Sequence, residues 1–324
     1  MRAPPVVDPA SPLLFVINAA SGSRGVEAKL EAITTVLQAA GRTGELLPSA
    51  PSALAGVAQQ AAARARESRG AVMAVGGDGT LNTVAGAAHA AGCAMGVVPQ
   101  GTFNYFARTH GIPVDPAAAV RQLLQAAPVA VQVAGINDRV FLVNASFGLY
   151  PELLQDREAF KARFGRNRLV ALVAAGATLL RAQRRLRLHI ELGDASRDVQ
   201  TLTLFIGNNR LQLQQFGAEP QDTVAGTPGD GSMAALMLRP IGTPSMIRLL
   251  LHGAMGRLAE AAGVEAFEFQ HMVVRPRLAP GHRDITVAFD GEVARLRTPV
   301  DIRVLPEPLY LLKPAPEATH GGAP

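Results

Sequence analysis

Up to about residue 132 the chain alternates short, wholly apolar runs with longer segments of helical period. Leu13–Ile17 is apolar and stops at Asn18, after which Ser21–Gly25 reads as a loop. Residues 26–40 repeat their apolar positions at helical spacing, a short extended piece follows at 43–47, and Pro51 and Ser52 open a second helix that runs to about 68. Ala71–Val75, bounded by glycines, and Ala94–Val98 are apolar throughout, as strands buried on both faces are. Between them 81–91 is Ala-rich and helical, and a further helix begins within 103–110. Short apolar strands alternating with helices predict a doubly wound α/β domain around a parallel sheet.

Beyond about residue 133 the period changes. Arg197–Ile206 and Ile285–Phe289 alternate in the strand manner, and further strands are expected at 139–146, 185–192, 233–239, 266–274 and 297–304. Two helical segments interrupt them, at about 151–182 and 244–262. The pattern predicts a second, mostly antiparallel, β-sandwich-like domain carrying helices. The boundaries expected are 12–132 for the α/β domain and 133–302 for the β-rich one, with 1–11 and 314–324, rich in Pro, Ala and Gly, as loose termini.

The chemistry concentrates where the third apolar run ends. Ala71–Val75 leads into Gly76-Gly77-Asp78-Gly79-Thr80 and then into a helix, so strand, glycine loop and helix form a phosphate cradle. Glycines let the backbone approach a phosphate chain, and the amides and dipole at a helix start favour negative charge. Thr80 and Asn82 add short polar side chains at that helix end. Asp78 is the unusual member. A carboxylate in an anion-binding loop repels phosphate unless it holds Mg²⁺ or a hydroxyl, whereas a plain capped turn has no use for it. A second loop, Pro99-Gln100-Gly101-Thr102-Phe103-Asn104, follows the next strand. Adjacent parallel strands end on the same side, so Asn18, Thr102 and Asn104 can reach phosphate, ribose or base beside the first loop. Taken alone, Thr102 also reads as an ordinary helix cap, a reading that the first loop beside it weakens. No Lys lies near the glycines, which excludes a GxxxxGK[ST] phosphate loop, and Asn18–Gly25 does not match a dinucleotide fingerprint.

Composition narrows the partners. The net charge of +5 leans toward an anionic partner. Lys29, Lys161 and Lys313 are the only lysines among 31 basic residues, so few point charges remain for phosphate. Cys93 is alone, and no histidine pair has zinc-ligand spacing with a third partner. The longest uncharged apolar run, Leu169–Leu180, has twelve residues, short of the ~18 of a membrane span. The N-terminus lacks the basic-then-apolar order of a signal peptide, so a cytoplasmic protein, soluble or peripheral to the membrane, is expected.

These residues together resemble the bacterial diacylglycerol kinase-like family, which includes sphingosine kinases. The resemblance runs from about 13 to 313 and is carried by Ile17-Asn18 with Ser21-Gly22, Gly76–Thr80 with Asn82, Pro99–Asn104 followed by Phe106-Ala107-Arg108, Asn144 with Phe147-Gly148, Asp230-Gly231 and Asp290-Gly291-Glu292. It implies a lipid kinase that uses ATP and Mg²⁺, with the nucleotide in the cleft between two domains and residues 303–313 rejoining the first. It implies that Asp78 is catalytic, that Glu292 is the general base on the lipid hydroxyl, that Ser49 contacts nucleotide and that Asp230 joins a metal site. Taken without the resemblance, Asp290-Gly291 is a hairpin turn signal. The sequence departs from the family pattern at Ala19, where proline is usual, at Tyr105, where aspartate is common, and over Asn208–Gly217, where many members are glycine-rich.

Between Arg157 and Arg187 nine basic residues face one acid, Glu158, around the uncharged Leu169–Leu180. Such a stretch can rest on an anionic membrane, each basic group contributing up to about 1 kcal/mol, or be a core helix with solvated ends. With no Trp and three Tyr the chain lacks stacking platforms for nucleic acid. A lipid partner at a membrane surface is the expectation. A kinase for a soluble substrate, of the NAD kinase kind, and a binding homologue without activity are the alternatives.

Overall fold

A computed structural model describes residues 3–20, 26–101, 104–148, 185–208, 231–240 and 263–314. The chain divides into two compact units, one of Met1–Val131 with Pro306–Pro324 and the other of Gln132–Leu305. The first unit holds β1 (Leu13–Asn18), α1 (Val26–Ala39), β2 (Gly44–Ser49), α2 (Leu54–Glu67), β3 (Ala71–Gly76), α3 (Asp78–Ala91), β4 (Ala94–Pro99), α4 (Tyr105–Thr109), α5 (Pro116–Leu124) and β5 (Ala127–Val131). The second holds β6 (Ala134–Ile136), β7 (Arg139–Phe141), β8 (Asn144–Gly148), β9 (Leu186–Leu192), β10 (Ala195–Thr201), β11 (Thr203–Gly207), β12 (Met233–Leu238), β13 (Val264–Phe269), β14 (His271–Pro276), β15 (Asp284–Phe289), β16 (Glu292–Arg297) and β17 (Val300–Val304). The chain then returns to the first unit with β18 (Leu309–Lys313).

The first unit is the doubly wound α/β fold that the apolar runs predict. Its sheet has the order β2-β1-β3-β4-β18-β5, parallel throughout except for β5 at the edge. Every residue of β3 and β4 is buried, because helices cover both faces. α2 and α3 pack together on one face and α1 and α5 on the other. α2 buries Leu54, Ala58, Ala61, Ala62 and Ala65, a face of mostly small side chains that lets it lie close to α3 and the sheet. Pro48, which has no amide to donate, falls on edge strand β2. α5, which the periodicity does not single out, starts where Asp115 caps it by accepting from the Ala118 amide at 2.8 Å, with Pro116 at the first helical position. The N-terminal arm is tied down in part, since the Asp8 amide donates to the Arg69 carbonyl at 2.8 Å.

The second unit is an antiparallel sandwich of two six-stranded sheets, β10-β9-β14-β17-β6-β7 and β13-β12-β11-β8-β15-β16. Phe141, Leu188, Ile190, Met272 and Ile302 of the first pack against Phe147, Leu204, Ile206, Met237 and Phe289 of the second in one core. Three stretches that alternate as single strands in the sequence are each two strands. Residues 139–146 divide into β7 and β8, 197–206 into β10 and β11, and 266–274 into β13 and β14, with the halves in different sheets. The alternation survives because the same face stays inward when a strand turns the corner of a sandwich. The helical segments expected at 151–182 and 244–262 lie outside the described residues, as does the basic stretch except for Arg185–Arg187. Among the described residues no helix is long and apolar enough to cross a membrane.

Phe147 is fully buried between the two sheets. Phe147→Ala is expected to cost about 3–5 kcal/mol, read as a lower denaturant midpoint at unchanged slope.

Candidate functional site

The parallel register of the first unit places four strand ends in a row. Asn18 pairs with Ser49, Ile17 with Val75, and Gly76 with Pro99. Ser49, Asn18, the Gly76–Thr80 loop and Gln100-Gly101 therefore follow one another along the carboxyl edge of the sheet. In the order β2-β1-β3-β4 the chain reverses direction of growth between β1 and β3, the switch point at which open α/β sheets bind ligands.

Within that row the glycines are required by distance. A Cβ on Gly101 would lie 3.1 Å from the Gly77 Cα and 2.8 Å from Asn104 Oδ1, so the two loops meet backbone to backbone. A Cβ on Gly76 would lie 2.5 Å from the Thr80 side chain. The Gln100 amide donates to the Gly76 carbonyl at 2.7 Å and joins the loops directly. Asn104, buried and left-handed at φ +49°, accepts from the Gly101 amide at 2.8 Å and donates to the Gly101 carbonyl at 2.9 Å, which closes the second loop on itself.

α3 begins at Asp78, three residues before the helix the sequence pattern indicates, so Asp78, Gly79 and Thr80 form its first turn. Gly77 is the N-cap in extended conformation, and Leu81 N donates to Gly77 O at 3.0 Å. Having no side chain, Gly77 offers the first-turn amides no cap. Thr80 is buried, and Asn18 Nδ2 donates to its Oγ1 at 3.2 Å. Asn18 Oδ1 accepts from the Ala20 amide at 3.0 Å, and Ser49, also buried, accepts at its carbonyl from the Ala19 amide at 2.9 Å. Asn82 is half-buried on the next turn of α3.

Asp78 is half-buried, and that burial raises its carboxyl above the usual range, while the backbone amides of Asn104 and Tyr105 partly offset it. Its Oδ1 is buried without a hydrogen-bond partner. The residue thus reaches from the first loop to the start of α4 and keeps one oxygen in reserve. Tyr105 contributes through its backbone while its ring is exposed. Thr102 and Asp230 lie outside the described residues, and among the described residues no three His, Cys, Asp or Glu side chains cluster as a metal site.

Glu292 belongs to the second unit. Asp290 and Gly291, at φ +47° and +82°, form the two-residue hairpin turn their sequence indicates, with Phe289 paired to Glu292 across it. Glu292 is exposed as the first residue of β16. Asp290 itself is buried, and its carboxylate accepts from the amides of Leu142, Val143 and Asn144 at 2.7, 2.8 and 3.1 Å. Asn208 holds the same connection, donating from Nδ2 to Leu142 O at 2.9 Å and from its backbone to Val143 O at 2.8 Å. Gln132 Nε2 in turn donates to the carbonyls of Asn208 and Ser232 at 2.6 and 3.0 Å. Sequence reasoning does not place Asp290, Asn208 or Gln132 among the site residues; the Asp-Gly pair signals the turn, and Asn208 stands out only as the start of the segment that departs from the family pattern.

Residues 12–136 match the family described as the diacylglycerol kinase catalytic domain, a span containing every site residue from Asn18 to Asn104 and neither Asp230 nor Glu292. The chain is 26% identical over 247 residues to the Synechocystis protein sll0036, covering 75% of this chain and 54% of that one. It is 40% identical over 79 residues to a probable lipid kinase YegS-like of Klebsiella pneumoniae, 24% of this chain and 27% of the relative. Over 145 residues it is 31% identical to a probable lipid kinase YegS-like of Pectobacterium atrosepticum, 43% and 48% of the two chains. The matches thus span about half of the Synechocystis and Pectobacterium relatives and about a quarter of the Klebsiella one. A diacylglycerol kinase structure from Bacillus anthracis superposes with a TM-score of 0.63 at 16% identity, covering 94% of this chain and 97% of the other. A further structure from that organism reaches 0.68 at 18% identity with the same coverage. At such identities the likeness is one of fold.

Asp78 sets a signed expectation for stability. A carboxyl whose folded-state value lies above the ordinary 3.8 holds its proton longer when folded, so stability falls as pH rises from there through the raised value. Asp78→Asn removes that penalty, and its melting temperature at neutral pH is expected to equal or exceed that of the parent. A clear loss of stability would mean the ionised form is held by interactions that outweigh its burial.

Proposed function

We propose that this chain, whose residues 12–136 match the diacylglycerol kinase catalytic domain, is a lipid kinase that transfers the γ-phosphate of ATP to a hydroxyl of a lipid such as diacylglycerol. The observation that carries the reading is Asp78 at the uncapped start of α3, with a buried, unpartnered Oδ1 beside the backbone-to-backbone contact of Gly77 and Gly101. Such a start binds phosphate through backbone amides and the helix dipole. It suits a chain whose lysines in this unit are Lys29 and Lys313, neither on the Ser49–Asn104 row. Asn18, Ser49, Thr80, Asn82, Thr102 and Asn104 contact the nucleotide.

The donor set fits magnesium in one respect, the orphaned carboxylate oxygen of Asp78, and magnesium in phosphoryl-transfer sites takes one or two carboxylates with phosphates supplying the rest. Bound there with ATP, it would neutralise charge on the phosphates. Asp230 is a second carboxylate proposed for metal. In the transfer the lipid hydroxyl oxygen bonds to the γ-phosphorus, the bond from phosphorus to the bridging oxygen breaks, and ADP leaves. The hydroxyl proton passes to Glu292, the proposed general base, while Asp78 orients the hydroxyl or the metal. The basic–apolar stretch 157–187 is the proposed contact with an anionic membrane surface, on the cytoplasmic side where ATP is found.

The deciding experiment incubates the protein with labelled ATP and Mg²⁺ and with vesicles carrying diacylglycerol, a sphingoid base or a glycerophospholipid, beside soluble alcohols including NAD. Label is expected in a lipid product. Label only in a soluble acceptor, or none at all, defeats the proposal. Glu292→Gln and Asp78→Asn are each expected to lower kcat by roughly 10²-fold or more while the protein stays folded, as loss of a positioned proton acceptor does. Gly101→Ala is expected to raise KM for ATP, since its Cβ would push the second loop from the first.

A further inference from the structure

We propose that Asp290 is a positioning residue, whose buried carboxylate sets the place of Glu292 by clamping the hairpin turn between them to the Leu142–Asn144 connection. The inference rests on the reading of Glu292 as proton acceptor. Glu292 is exposed, so packing does not hold its side chain, and its backbone is held by the ladder to Phe289 and by the turn before it. Of the two turn residues, Asp290 is fixed with unusual completeness. Both carboxylate oxygens of Asp290 are engaged, Oδ2 by the Leu142 amide and Oδ1 by those of Val143 and Asn144. The Asp290 amide also donates to the Asn144 carbonyl at 3.0 Å. Charge-assisted bonds from three successive amides form a directional lock.

The platform is itself rigid. The Leu142 and Val143 carbonyls, on the opposite side of the peptide chain from the amides given to Asp290, accept from Asn208. Beyond the turn, Phe289 is buried in the sandwich core, and the Arg139 guanidinium lies 5.9 Å from its ring centroid. An Asp-Gly hairpin turn needs no such support to form, since the pair adopts the required positive φ on its own. A lock that fixes the turn more firmly than folding requires, two residues from an exposed carboxylate, is what placement of that carboxylate calls for. Asparagine at 290 cannot replace the lock, because its amide nitrogen accepts no hydrogen bond and leaves at least one of the three backbone amides without an acceptor.

The test is a double-mutant cycle on the full chain, with lipid phosphorylation as the readout. Asp290→Asn alone is expected to lower kcat about tenfold with KM for ATP within about twofold, the scale on which a small misplacement of a reacting group acts. In a Glu292→Gln background the same substitution is expected to change kcat by less than about twofold, because the group it positions is gone. An equal loss in both backgrounds overturns the proposal and gives Asp290 a role of its own. Unchanged kcat in Asp290→Asn also overturns it. If Glu292→Gln is fully active, the reading of Glu292 fails and positioning falls with it, whereas an impaired Glu292→Gln with additive losses sinks positioning alone. Amide exchange at Leu142, Val143 and Asn144 should quicken in Asp290→Asn, and unaltered protection counts against the clamp. Should that variant not fold, Gly291→Ala carries the same cycle. Gly291 has open space around it but φ +82°, so the substitution disturbs the turn and leaves the carboxylate lock in place.

Discussion

Gly77 and Gly101 approach until a methyl added to Gly101 would crowd the Gly77 backbone. Much in the first unit follows from that contact. The contact requires that β3 and β4 end level, which their register from Ala71↔Ala94 to Gly76↔Pro99 secures. The contact falls at the α3 N-cap, Gly77, so that helix starts without a side-chain cap. It also brings Asn104 and Tyr105 near enough for their amides to influence the Asp78 carboxyl. Beside this close approach lie the uncapped start of α3 and the half-buried Asp78 carboxyl. These features oppose one another electrostatically, an opposition on which the proposed function rests.

The second unit meets a different constraint. A sandwich built from strands that turn corners leaves backbone groups at each corner with no ladder partner, and buried groups must find one. Side chains supply it here. Asp290 serves the amides of Leu142–Asn144, while Asn208 and Gln132 serve carbonyls around the same corner. Fold stability and the placing of Glu292 therefore draw on the same bonds.

Much of this was legible in the sequence, and the limits have physical reasons. Fully apolar runs such as Ala71–Val75 read directly as buried parallel strands because both faces of such a strand are covered. The Asp290-Gly291 turn was readable because few residue pairs accept two positive φ angles. The division of 197–206 and 266–274 was not readable, since a corner of a sandwich preserves the inward–outward alternation on which strand reading depends. The early start of α3 was hidden because glycines discourage a helix by propensity, whereas here Gly79 is held in the first turn by the bond that closes at Leu81. Asp78 was legible as an anomaly of charge. Its bridging role was not, because it depends on backbone amides 26 and 27 residues away in sequence. Asn208 belonged to a segment noticed only for departing from the family pattern, and its side-chain bonds connect residues distant along the chain.

The raised carboxyl of Asp78 ties these observations to binding. Burial disfavours its charged form, and the two nearby amides offset that in part. Any ligand that holds the carboxylate more tightly than the acid must displace the proton where the acid is populated, and so binds more strongly as pH rises through that range. A bare phosphate does the reverse, since negative charge at the α3 start favours the protonated acid. Under the proposed function the site would therefore distinguish an anion that arrives with a cation from one that arrives alone, through one half-buried side chain. A cradle meant only to hold phosphate would have no use for Asp78. The proposed site, which would admit phosphate together with a compensating positive charge, would have one.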